Sequence, residues 1–109
     1  MALQHARPGE KVSLPALSSS LAPGLKTTAL VKTDRFEAIH LVLCSGTNIP
    51  QHAVAGYLTL QCLEGSATLT TDRRSVDLEA GDWIYLERNE RHGLSAARDC
   101  SLVLTILFD

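Results

Sequence analysis

The sequence predicts an all-β sandwich or barrel, and three observations predict it. Short runs rich in Val, Ile, Leu and Thr recur from Leu25 to the end of the chain, several with period-two alternation. Turn-forming clusters separate them, at Thr33-Asp34-Arg35, Ser45-Gly46, Glu64-Gly65, Asp72 to Ser75, Gly81-Asp82 and Arg98-Asp99. No long segment carries the 3.6-residue period of a helix. The chain has 109 residues, enough for one domain around one core.

The elements follow in order. Residues 1–24 read as an arm punctuated by Pro8-Gly9, Ser18-Ser19-Ser20 and Pro23-Gly24. It either packs across a neighbouring subunit or ends as a frayed tail. Residues 25–109 read as the barrel. Its first strand is the β-rich stretch Thr27 to Lys32. The next, Phe36 to Cys44, puts Ile39, Leu41 and Leu43 on one face and Ala38, His40, Val42 and Cys44 on the other. Both faces are largely apolar, which suits a strand covered on both sides. His40 reads as a residue of the outer or interface side. Further strands are expected over Tyr57 to Leu63, Ala67 to Thr71, Val76 to Leu78, Trp83 to Leu86, His92 to Ala96 and Ser101 to Phe108.

Composition narrows the function classes. Apolar residues make up 45% and charged residues 20%, the balance of an ordinary globular protein. No apolar run approaches the roughly eighteen residues of a membrane span, and the first residues lack the apolar core of a secretory signal. Net charge is −2, and Arg73, Arg74, Arg88 and Arg91 are interleaved with Asp72, Asp77, Glu87 and Glu90. That is not the continuous basic stripe of a nucleic-acid binder. Cys44, Cys62 and Cys100 form an odd set in apolar surroundings, read as reduced small hydrophobes of a cytoplasmic protein.

Two stretches carry the chemistry. In the first, Gly46 is followed after five residues by His52, and Gly65 stands thirteen residues beyond His52. In the second, Gly81 precedes His92 by eleven residues. These spacings resemble the two signature motifs of the cupin superfamily, over roughly residues 38–108. The resemblance implies a single-domain RmlC-like cupin, that is, a double-stranded β-helix or jelly-roll barrel wide enough for one small ligand. It also implies a homodimer.

The usual cupin holds a metal with three His and one carboxylate. Here Val54 stands at the second His position and Leu58 at the Glu position. In the second motif Glu87, Asn89 and Ala96 replace Pro, Gly and Asn. His52 and His92 remain as metal ligands. A divalent Fe, Mn, Ni or Zn would therefore need a substitute, with Glu87 or Glu90 the nearest carboxylates, and the lost ligands favour a site that holds none.

Strand parity predicts a ligand pocket of His52, Val54, Leu58, Leu60, Ile84, Leu86 and His92. The leading expectation is a small-molecule-binding barrel. The rivals are a metal-dependent enzyme of dioxygenase or isomerase type, and a partner-binding dimer with a filled barrel. Trp83 and Tyr85 alternate with Ile84 and Leu86. They should face outward, as a contact surface or as rings covered by the arm.

Overall fold

The computed structural model describes residues 5–20 and 23–108. Among them, nine strands form two antiparallel sheets, preceded by a single helical turn, α1 (Leu17–Ser20). The strands are β1 (Leu25–Lys32), β2 (Phe36–Leu43), β3 (Asn48–His52), β4 (Tyr57–Glu64), β5 (Ser66–Thr71), β6 (Ser75–Glu79), β7 (Trp83–Leu86), β8 (His92–Ala96) and β9 (Cys100–Leu107). A five-stranded sheet runs in the order β1-β2-β9-β4-β7, and a four-stranded sheet runs β3-β8-β5-β6.

The core fills the space between the sheets. β4 alternates buried and exposed residues, so Leu58, Leu60 and Cys62 all point inward. Leu41 and Leu43 of β2 and Leu102 of β9 join them from the same sheet. Ala67, Leu69, Leu78, Leu94 and Ala96 close the core from the other. One turn shows how tightly the ends are drawn in. Gly65 has φ +78°, and a Cβ there would collide with the backbone oxygen of Asp99.

β2 is covered on both faces, as its composition predicts. Its outward residues His40 and Val42 are buried beneath the arm of the same chain. Val12, Leu14 and Pro15 face Thr28, Leu30, His40 and Val42 across a gap of about 230 Å³. The Ala6 N–H donates to the Leu30 carbonyl at 2.8 Å, and the Leu17 N–H donates to Glu64 Oε2 at 2.8 Å. The described part of the arm therefore lies against its own sheet rather than fraying. Trp83 and Tyr85 stay uncovered at 58% and 55% exposure. No helix among the described residues is long and apolar enough to cross a membrane.

β3 went unpredicted. It is short, contains Pro50 and sits at the edge of its sheet, where the missing N–H of proline does no harm.

Candidate functional site

The two motif histidines meet because β3 and β8 pair with His52 directly opposite His92. The register is irregular on the way there. Ile49 faces Leu94, and then His52 faces His92, so Pro50 and Gln51 bulge against the single residue Gly93. The bulge changes the parity of the strand, so Ile49 and His52, three apart, line the same cavity. Gly93 leaves room for it, since a Cβ there would press on the bulge, 3.1 Å from the Ile49 backbone oxygen.

The imidazole centroids are 4.5 Å apart, and the rings are tilted by 53°. His52 sits at the exposed rim, while His92 is buried at 4% exposure. Each ring is oriented by the carbonyl two residues before it. His52 Nδ1 lies 3.1 Å from the Pro50 oxygen, and His92 Nδ1 lies 2.9 Å from the Glu90 oxygen. A carbonyl oxygen only accepts, so Nδ1 carries the hydrogen in both rings. His92 Nε2 is left buried with no hydrogen-bond partner among the described residues. Burial, and to a smaller extent the neighbouring His52, holds the His92 pKa below its ordinary value.

Beside His52 opens a cavity of about 320 Å³ between the inner face of the five-stranded sheet and β3. Its walls include Ile39, Ile49, Val54, Leu58, Leu104 and Ile106, and Leu25, Thr27, Ala29 and Leu41 complete them. The structure thus splits the group of residues that parity had assembled. His52, Val54 and Leu58 line this cavity. Leu60 is sealed in the core at 1% exposure. Ile84 and Leu86 belong to β7, at the far edge of the sheet from β1, and line a separate cleft of about 380 Å³ with Arg73, Arg74 and Trp83. Parity correctly turned Ile84 and Leu86 inward, but it carries no information about which end of a sheet a strand occupies. The β1, β2 and β9 contributions were missed for the same reason.

The described residues supply only two of the metal ligands that the motifs imply. Among the described residues no group of three or more His, Cys, Asp or Glu could hold an ion. Glu90 turns its carboxylate back onto the Glu87 N–H at 3.0 Å, and neither residue lines the histidine cavity. Two imidazoles fall short of the three protein ligands a catalytic zinc site keeps. Asn89, at the motif's second glycine position, keeps the glycine-like backbone with φ 59°, which Asn tolerates better than most residues. Its N–H donates to the Val54 carbonyl at 2.9 Å and ties the β7–β8 loop to the β3–β4 loop beside the cavity.

The remaining candidates lie elsewhere. His40 is on the outer face, with Nε2 2.7 Å from Ser101 Oγ. Cys62 and Cys100 are buried, and burial pushes the Cys100 thiol up to about 11. Cys44 is half-buried rather than buried. Its sulfur lies 3.3 Å from the Thr47 hydroxyl and accepts the Gly24 N–H at 3.0 Å, and the thiol pKa is lowered, chiefly by Thr47.

Two facing antiparallel sheets, with the motif glycines at their turns and the two motif histidines paired across β3 and β8, give the chain the fold of the RmlC-like cupin jelly rolls. A conserved protein of unknown function from Streptococcus pyogenes superposes with a TM-score of 0.82 at 19% identity, over 100% of this chain and 98% of that one. A cupin superfamily protein from Desulfitobacterium hafniense DCB-2 superposes equally well, with a TM-score of 0.82 at 19% identity over 98% and 100%. The likeness extends to an enzyme, the DMSP lyase DddQ of Ruegeria pomeroyi DSS-3, with a TM-score of 0.72 at 16% identity over 78% of this chain and 47% of that one. At these identities the likeness is one of fold. No family model and no curated protein matches the chain in sequence.

Proposed function

We propose that the chain binds a small molecule in the apolar cavity whose rim carries His52, with His92 behind it. The observation that carries this reading is the unpartnered Nε2 of His92, 4.5 Å ring to ring from an imidazole that lines the cavity. An orphaned buried acceptor disfavours folding by about 1–3 kcal/mol, so its retention asks for an explanation, and a ligand is one. The volume of about 320 Å³ lies at the lower end of small-molecule sites.

Benzene is a suitable first probe, since dry apolar cavities of even about 150 Å³ take it up. Methyl NMR signals of Val54, Leu58 and Leu104 should shift on its addition, while those of Leu69 and Leu78 on the other sheet stay. An unresponsive cavity would refute the reading.

A metal-dependent enzyme is the second reading. Ligating imidazoles commonly donate their other N–H to a backbone carbonyl, as both do here. Elemental analysis after loading with Fe, Mn, Ni and Zn decides it. About one equivalent per chain, lost on replacing both histidines with alanine, would displace the first reading.

We also place the chain in the cytoplasm as a homodimer. Its free thiols suit a reducing compartment. Trp83 and Tyr85, ring centroids 6.3 Å apart on the outer face of β7, suit a pairing surface. Sedimentation should then show Trp83→Glu as a monomer.

A further inference from the structure

We infer that two copies of the chain join through the free edge of β7, antiparallel about Ile84, so that their five-stranded sheets run on as one. The inference rests on the reading of the chain as a homodimer and names the strand through which it pairs.

The two sheets have four edge strands, β1 and β7 in one and β3 and β6 in the other. An open edge carries unpaired N–H and C=O groups, and proteins blunt the edges that are not meant to pair. β1 holds Lys26 and Lys32, shifts register between Ala29 and Val31, and meets the arm where the Ala6 N–H donates to the Leu30 carbonyl. β3 holds Pro50 within its bulge. β6 leaves Ser75, Asp77 and Glu79 exposed along its length. β7 reads Trp83-Ile84-Tyr85-Leu86, with no charge, no proline and no bulge.

The register shows which groups stand at that edge. The Cys62 N–H donates to the Asp82 carbonyl at 3.0 Å, and further along Ile84 lies opposite Leu60 and Leu86 opposite Leu58. Bonding alternates along an antiparallel pair, so Ile84 and Leu86 turn their backbone groups to β4, and Trp83 and Tyr85 turn theirs to the open edge. No described residue bonds those outward groups.

The edge is complementary to itself. With Ile84 on a two-fold axis, Trp83 of one copy stands opposite Tyr85 of the other, and the outward N–H and C=O groups of both residues are met. The two rings, exposed at 58% and 55%, then face their counterparts across the strands on the outer side of the sheet. No like charges oppose one another in this register, since Asp82 faces Leu86 of the other copy and Glu87 faces Gly81. A cleft of about 380 Å³ beside Trp83, Ile84, Tyr85 and Leu86 leaves room for the added strand. The pairing uses the same edge of both copies, so it closes at two.

The test follows dimerisation by sedimentation and amide exchange by NMR on the full chain. The Trp83 and Tyr85 amides should exchange at least about tenfold more slowly at dimer-forming concentration than after dilution to the monomer. Tyr85→Pro removes an N–H that bonds nothing within the chain, so the fold should survive it. Tyr85→Ala loses the same ring and keeps that N–H. The proline variant should dimerise about tenfold to hundredfold more weakly than the alanine variant, the worth of two net hydrogen bonds. A dimer whose Trp83 and Tyr85 amides exchange freely, or one equally strong in both variants, would overturn the edge pairing and leave a homodimer formed elsewhere. Amides that stay slow at every concentration would overturn it too, by placing a segment of the same chain on the edge. A monomer at all concentrations would sink the homodimer reading and this inference together.

Discussion

Two histidines of this chain are almost equally buried, His40 at 3% exposure and His92 at 4%, and their surroundings could hardly differ more. His40 lies on the outer face of the five-stranded sheet, roofed by the arm, with Nε2 2.7 Å from Ser101 Oγ. Its need for a partner is met inside the fold. His92 lies on the inner face of the other sheet. Its Nδ1 is met by the Glu90 carbonyl and its Nε2 by no described residue. Burial alone therefore does not mark a functional histidine. A buried ring whose polar atoms are satisfied belongs to the architecture, while one with an open valence, packed behind a cavity, asks for another explanation.

The largest expected effect separates the two rings by stability. His40→Ala removes a buried hydrogen bond, orphans Ser101 Oγ and enlarges the gap beneath the arm. It should destabilise by about 2–4 kcal/mol in urea denaturation. His92→Phe keeps a ring in the space and removes an unpartnered Nε2, losing only the Nδ1 bond to the Glu90 carbonyl, so it should cost less, about 0.5–1.5 kcal/mol. Equal losses would erase the distinction.

The second effect is a pH dependence. The pKa of His40 is lowered from its ordinary 6.5, first by burial and then by the charge of Lys26. Below about 6.5 the unfolded chain takes up a proton that the folded chain resists. Stability from this group is thus complete above 6.5 and is lost as the pH falls from there through the folded value. His40→Leu should flatten that part of the stability profile. An unchanged slope would show that His40 titrates normally in the folded chain.

The smallest effect concerns the arm. Removing residues 1–15 takes away the roof formed by Val12, Leu14 and Pro15. The His40 pKa should then move back towards 6.5 in an NMR titration, while the methyl signals of Val54 and Leu58 keep their positions. A shift at the cavity would mean that the arm supports both regions.

The fold was legible in the sequence because its signals are local. Alternation in β4 and the turn residues at Glu64-Gly65 and Gly81-Asp82 need no knowledge of distant partners. The site was legible only in part. His52 and His92 stood out through motif spacing, and the inward direction of Leu58, Leu60, Ile84 and Leu86 followed from period two. Strand order is non-local, and only the sheet topology shows that Ile84 and Leu86 lie at the opposite edge from Leu25 and Thr27. The bulge at Pro50-Gln51 also lies beyond parity, although a proline two residues before a motif histidine could have signalled it. Asn89 hid a kept feature, since the backbone retained its left-handed turn while the residue letter changed.

The central claim is that both rings give Nδ1–H to a carbonyl, which leaves His92 Nε2 a buried acceptor behind the cavity that His52 lines. Long-range proton–nitrogen NMR spectra of the nitrogen-15-labelled histidine rings at neutral pH test it most directly. The account predicts that both rings carry their hydrogen on Nδ1 and show an unprotonated Nε2. A hydrogen on Nε2 of His92 would contradict it, because the ring would then hold a buried donor there rather than an acceptor and would no longer donate to the Glu90 carbonyl.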